Sequence, residues 1–129
     1  MPPNPKWRMR YYRTQHGSCP FIDFATSIRE AAPVEYRKVL AAVEKVRREP
    51  SARREPLVKR IDDDVQEVRV YGYRVFFYLR SDLMVILDGV RKKQDKAPDA
   101  VKKKMRNYVA DYNARCRKDE ARWDELLFT

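Results

Sequence analysis

The chain has 129 residues, of which 43% are hydrophobic and 37% are charged, and its net charge is +10. This length suits one domain over 1–129, and the composition excludes a disordered chain. No apolar run approaches the roughly 20 residues of a membrane span, and the N-terminus lacks the apolar core of a signal peptide. Because two cysteines make no disulfide framework, we expect a cytoplasmic protein.

The positive charge is concentrated in one stretch. Residues 91–118 contain eleven Lys and Arg against three acidic residues, an excess of +8, whereas the rest of the chain has an excess of only +2. A basic region attached to a nearly neutral body predicts a polyanionic partner. Nucleic acid is the leading candidate, and a solvated helix face is the alternative.

The first half of the chain predicts a strand and two helices. After a flexible segment at 1–6, residues 6–13 alternate bulky and basic side chains with the period of a strand. Ser18 is expected to cap a helix with an apolar stripe on one side. Pro33 opens a second helix, which Pro50 must end.

The second half predicts four strands and a final helix. The strands are residues 57–61, 65–71, 73–79 and 83–90. Their short connections force antiparallel neighbours, and Gly72 is expected to supply a positive φ in one of them. A helix with basic outer sides follows Pro98, and residues 118–129 form a tail of uncertain packing. This order predicts an α+β domain with an N-terminal strand, a two-helix hairpin, an antiparallel meander and a C-terminal helix.

Alternation along the strands predicts a cationic cluster. Arg69 and Arg74 fall close together on one side of the sheet, where they repel each other unless an anion or a carboxylate lies between them. Glu67 and Asp88 are the candidate carboxylate partners. The basic turn after the last strand is expected to meet them at one edge of the sheet and to enclose a phosphate-sized space. That turn contains Arg91, Lys92, Lys93 and Lys96.

Aromatic and helical side chains extend the predicted site. Tyr71 and Tyr73 offer rings on which bases can stack, although core packing is the alternative. Lys102 and Lys103, with Lys104 beside them, contact RNA phosphates in one interpretation and form a solvated helix face in the other.

No metal site is predicted. His16 and Cys19 have a spacing found in zinc sites, but together with the distant Cys116 they supply too few ligands. The acidic run at 62–64 is interpreted as a solvated turn.

Three motifs in order, QEVRV, YRVFF and LDGVRKKQDKAP, resemble the signature series of the RelE/ParE toxin superfamily. The resemblance is greatest to its HigB-like, phage-derived branch and extends from about Trp7 to about Tyr112. It implies a RelE-like, microbial-RNase-type fold. It also implies the toxin of a type II toxin–antitoxin system, usually a ribosome-dependent mRNA endoribonuclease that needs no metal or other cofactor. The implied partners are messenger RNA on the ribosome and an antitoxin, in this branch with a helix-turn-helix domain.

The resemblance also assigns roles to the cluster. Arg74 matches the arginine that grips the scissile phosphate. Arg69 falls where relatives place a catalytic lysine, and because arginine is hard to deprotonate it is expected to stabilise charge. The base is assigned to Glu67 or Asp88, and Lys92 or Lys93 supplies the proton or braces the leaving oxygen.

Two other functions stay open. One is a ParE-like inhibitor that binds DNA gyrase and catalyses nothing. The other is a phage-borne protein that binds nucleic acid or a host factor and has lost cleavage. Asp88 keeps this last function open, because the branch often has His at that position.

Overall fold

The computed structural model describes residues 6–91 and 97–127. Its elements are β1 (Arg8–Tyr11), α1 (Pro20–Ala31), α2 (Pro33–Arg48), β2 (Val58–Arg60), β3 (Gln66–Val70), β4 (Tyr73–Arg80), β5 (Leu83–Arg91) and α3 (Asp99–Arg115). Two short 3-10 turns cover Pro50–Ala52 and Arg117–Arg122. This order confirms the predicted α+β fold and is consistent with a RelE-like fold.

The five strands form one mixed sheet in the order β1-β5-β4-β3-β2. The pairs from β2 to β5 are antiparallel, as the short connections predict. β1 pairs in parallel with β5, so the N-terminal strand extends the meander at one edge. A parallel pair needs a long crossover between its strands, and here the helices and the other strands supply it.

Two apolar layers cover the sheet. On one side, here called the hairpin face, α1 and α2 pack against strand residues such as Val75 and Phe77. On the other side, the α3 face, α3 packs against residues such as Phe76. The close approach of α1 depends on Gly89, because a Cβ there would lie 2.3 Å from ring carbons of Phe24.

Two local expectations are wrong. The N-cap of α1 is Cys19, without a capping hydrogen bond from its side chain, and Ser18 instead shares a 2.6 Å hydrogen bond with the hydroxyl of Thr14. In the turn between β3 and β4, the left-handed backbone falls on Tyr71 (φ 53°) and not on Gly72. Both differences concern local geometry and leave the order of elements unchanged.

A bulge interrupts the pairing of β4 with β5. Phe76 pairs with Asp88 and Phe77 pairs with Ile86, which leaves Leu87 without a residue opposite. An extra residue in one strand reverses the alternation of faces beyond it. The last residues of β5 therefore lie on the opposite faces from those that strict alternation predicts.

The segment after α3 runs along the free edge of β1. The backbone N–H of Glu125 donates to the carbonyl of Met9 at 2.7 Å. The side chains of Asp124 and Glu125 accept hydrogen bonds from the backbone N–H groups of Met9 (3.1 Å) and Tyr11 (3.0 Å). The described part of the tail, whose packing the sequence leaves uncertain, thus covers the edge of the sheet.

Candidate functional site

The α3 face carries two rows of paired residues across the strands. The first row is Lys59, Glu67, Phe76 and Asp88, and the second is Arg69, Arg74 and Val90. Arg69 lies directly opposite Arg74 on the neighbouring strand. The two arginines that the sequence predicts to be close are therefore a cross-strand pair.

Glu67 forms ion pairs with both arginines. Its Oε2 lies 3.3 Å from Nε of Arg69 and 3.5 Å from Nε of Arg74. The carboxylate is fully buried, and neither oxygen accepts a hydrogen bond of ordinary geometry from the described residues. A group enclosed in this way cannot reach a ribose hydroxyl. The geometry favours Glu67 as the structural partner of the arginines over its predicted role as base.

Arg74 is fixed on two sides. Its Nη1 donates to the backbone carbonyls of Tyr71 at 3.1 Å and Tyr73 at 2.9 Å, while its Nε faces Glu67. Within the described part of the chain, its Nη2 makes no hydrogen bond. This guanidinium is oriented by the protein and keeps one nitrogen for an anion.

Asp88 lies in the first row, beyond the ring of Phe76. Its Oδ1 accepts a hydrogen bond from the backbone N–H of Gly89 at 2.7 Å, and its Oδ2 lies 3.4 Å from Nζ of Lys104 on α3. Burial raises the pKa of Asp88, although Gly89 and Lys104 act in the opposite direction. A carboxyl group with a raised pKa is suited to exchange a proton near neutral pH.

Lys104 is the residue of this site that sequence analysis groups with Lys102 and Lys103 and does not connect with Asp88. Burial lowers its pKa, but Asp88 and Tyr108 together outweigh that effect and the pKa is raised. Its Nζ lies 5.7 Å from the ring centre of Tyr108, one helical turn further along. The sequence contains one signal for this position. Lys104 precedes Met105, a member of the apolar stripe of α3, and a residue at the border of that stripe lies near the rim of the sheet that the helix covers.

Arg91 does not join the cluster, so that expectation is wrong. It lies on the hairpin face, with its guanidinium 5.9 Å from the ring centre of Tyr73, and lines a hollow with Phe24 and Ile28. The bulge is the cause, because it reverses the faces after Leu87. The other three cations of the predicted turn fall outside the described residues. They are Lys92, Lys93 and Lys96.

The two predicted stacking tyrosines differ. Tyr73 is buried on the hairpin face, where its hydroxyl donates to Glu35 and its ring meets Phe24 edge-on, so core packing describes it. Tyr71 is 68% exposed, with Nζ of Lys38 4.9 Å from its ring centre. Of these two rings, only that of Tyr71 is exposed to solvent, where a base can reach it.

Lys102 is half-buried and Lys103 is exposed, both in the first half of α3. Their predicted RNA contacts stay predictions. Within residues 6–91 and 97–127, no helix is long and apolar enough to cross a membrane, and no group of three or more His, Cys, Asp or Glu could hold a metal ion. Cys19 and Cys116 are free thiols.

The mixed sheet and its two helical layers make this an α+β protein with a fold consistent with RelE-like proteins. The chain matches the family of phage-derived Gp49-like proteins (DUF891) over residues 27–109 and belongs to it. This is a RelE/ParE-like toxin family, so the resemblance to that superfamily is confirmed. The matched region contains all the residues of both rows. No curated protein matches the chain in sequence.

Proposed function

We propose that this protein is the toxin of a type II toxin–antitoxin pair, of the HigB-like branch, and that it cleaves messenger RNA on the ribosome without a metal ion. The observation that carries the proposal is the Arg69–Arg74 pair held by buried Glu67. Stability does not require such an arrangement, because apolar residues in place of a buried ionic triad are often neutral or stabilising. Two oriented guanidinium groups on rigid strands suit a phosphodiester instead.

The chemistry needs a base, an acid and positive charge. In the proposed reaction, Asp88 takes the proton of a ribose 2′-hydroxyl, and the 2′-oxygen attacks the adjacent phosphorus. The bond from phosphorus to the 5′-oxygen breaks, and that oxygen takes a proton from Lys92 or Lys93. Arg69 and Arg74 stabilise the negative charge of the crowded intermediate. The products are a 2′,3′-cyclic phosphate and a 5′-hydroxyl.

Other groups serve binding in this proposal. The ring of Tyr71 stacks on a base, and Lys102 and Lys103 contact RNA phosphates. Lys96 adds to the same positive field. The partner that restrains the toxin is an antitoxin with a helix-turn-helix domain, which holds it away from the ribosome or covers the arginine pair.

The test is primer extension on messages translated in a purified system. Arg74→Ala should reduce cleavage about 100- to 1000-fold, the usual effect of removing one preorganised donor. Arg74→Lys should retain part of the activity, because lysine keeps the charge but loses the forked geometry. Arg48→Ala, which removes an exposed arginine at the end of α2, is the matched control.

The outcomes separate the candidate functions. Codon-linked cuts that disappear in Arg74→Ala support the nuclease. Near-normal cleavage by Arg74→Ala, with the variant folded by circular dichroism, removes this residue from the site. DNA breaks without RNA cuts would indicate a gyrase inhibitor. A wild-type protein that causes neither is a binding protein.

A further inference from the structure

We propose that Lys104 is a positioning residue for Asp88, and that its ammonium group keeps the buried carboxylate charged and ready to accept a proton. The inference rests on the proposed function, since the acceptor acts on the ribose 2′-hydroxyl. It assigns to Lys104 a specific role that its two neighbours do not share. The carrying observation is the 3.4 Å contact between Nζ of Lys104 and Oδ2 of Asp88.

Asp88 needs such a partner because its surroundings disfavour charge. The residue is 7% exposed and pairs with the fully buried Phe76 across the sheet. One backbone N–H, from Gly89, satisfies Oδ1. Burial without further help would leave the carboxyl protonated and unable to act as a base.

Among the charged groups around Asp88 in the described residues, Lys104 is the one placed to keep the carboxylate charged. Asp23 of α1 raises the pKa of Asp88 from the hairpin side. On the α3 face, Glu67 lies two strands away in the same row, beyond Phe76, and its charge is shared by the two arginines. Arg74 lies in the second row and is directed to Glu67 and to backbone carbonyls. Lys104, beside the ring of Tyr108, is the cation in ion-pair contact with Asp88 among the described residues.

The exposure of the two side chains also supports a role for Lys104 in positioning Asp88. The side chain of Asp88 is 9% exposed, whereas that of Lys104 is 56% exposed. An ion pair with one solvated partner contributes little to stability, because water screens the exposed charge and the long side chain loses freedom on pairing. A structural role for Lys104 is therefore weak. The positive charge of Lys104 still acts on the carboxylate of Asp88, because little water surrounds that carboxylate to screen the interaction.

The experiment measures the protonation of Asp88 directly. The carboxyl carbon of Asp88 is titrated by NMR in the wild type, Lys104→Met, Lys104→Arg and Lys45→Met. Lys104→Met should raise the pKa of Asp88 by about one unit, the effect expected when an adjacent opposite charge is lost. Lys104→Arg keeps the charge and should restore the wild-type value. Lys45→Met removes an exposed lysine on α2, across the sheet, and should leave it unchanged.

The pH profile of RNA cleavage is the second measurement. In Lys104→Met the acid limb should move to higher pH, so that activity below that limb falls about tenfold for a one-unit shift. The plateau rate at high pH should stay within a fewfold of wild type. A merely structural or RNA-binding lysine would lower the whole profile and leave the limb in place.

Two different results would contradict the positioning role and the proposed function. If the wild type cleaves RNA but Lys104→Met moves neither the Asp88 titration nor the acid limb, the positioning role is wrong and the nuclease stands. If the wild type cleaves no translated message, the nuclease and the role that depends on it both fall.

Discussion

Glu67 is fully buried, and one of its carboxylate oxygens lies close to both Arg69 and Arg74. A carboxylate among arginines in a nuclease-like motif predicts a base, yet its side chain is enclosed and lies between two guanidinium groups. Removing a carboxylate from water is costly unless nearby positive charges compensate for the lost solvation. The two arginines provide that compensation for Glu67. Glu67 therefore holds the arginines, and in the proposed reaction Asp88 is the base.

Glu67→Gln should lower the free energy of unfolding by about 3 kcal/mol, the loss typical when one partner of a buried ionic group is removed. The amide keeps the size of the side chain but leaves two arginines facing each other without a counter-charge. Urea denaturation measures the effect, and Glu30→Gln, which alters an exposed acid on α1, is the control. Equal stability of Glu67→Gln and wild type would show that the arginines do not depend on this anchor.

At the scale of elements, the tail and β1 act as one unit. Two side-chain carboxylates and one backbone N–H of the tail make hydrogen bonds to β1 where a sixth strand would make them. The ion pair of Arg13 with Glu125 at 2.8 Å and that of Arg80 with Glu120 at 2.9 Å hold the same segment. An uncovered edge strand is a template for pairing with another chain, and the described part of the tail occupies that template at β1.

Glu125→Gln should loosen this cover. Burial raises the pKa of Glu125, but its bonds to Arg13 and to the backbone of Tyr11 prevail, and the pKa lies below its usual 4.5. A lowered pKa gives stability that is present above pH 4.5 and is lost as the pH falls below it. Hydrogen exchange at neutral pH should show faster exchange of the Tyr11 amide in the variant.

The wild type should lose the same protection in acid, and its thermal stability should decline below pH 4.5 more steeply than that of Glu125→Gln. Glu49→Gln, at an exposed position after α2, serves as the control. Unchanged exchange at Tyr11 in Glu125→Gln would mean that the backbone bond between Glu125 and Met9 is sufficient to hold the tail.

At the scale of the whole molecule, the two faces of the sheet have different uses. The hairpin face is mainly a core, and the α3 face combines a core with the arginine pair and the Asp88–Lys104 contact. Lysines at the start of α3 lie on the same side of the sheet as these groups. Part of the excess charge that the sequence places at 91–118, namely Lys102, Lys103 and Lys104, thus lies on the side of the candidate site and favours association with polyanions.

This arrangement predicts strong salt dependence of ribosome binding. Each phosphate contact contributes about 0.7 to 0.9 to the slope of log affinity against log salt. Lys102→Gln with Lys103→Gln should therefore reduce the slope by about 1.5. Binding to ribosomes that carry a message is measured over a salt series. Lys45→Gln with Arg48→Gln, which removes two exposed cations of α2, is the control and should leave the slope unchanged. Equal slopes for both double variants would assign Lys102 and Lys103 to the solvated face.

Local patterns in the sequence were sufficient for the elements and for the arginine pair. The prolines at 33 and 50 bound α2 because proline cannot continue a helix from within. A tight turn between β3 and β4 fixes the register, and a period of two then fixes the face, so Arg69 and Arg74 must be neighbours. These features depend on residues that are close in the chain, where few alternatives compete.

Only the tertiary structure decided which other groups join that pair. The bulge in β5 brings Asp88 to the α3 face and sends Arg91 to the other. Gly89 is a residue type found near bulges, but it equally fits the close approach of Phe24, so the residue type alone does not place a bulge there. Lys104 reaches Asp88 because α3 packs across the sheet, and the tail meets β1 across 115 positions of sequence. Such contacts depend on how distant elements pack together, and the free energy of that packing is a property of the whole core.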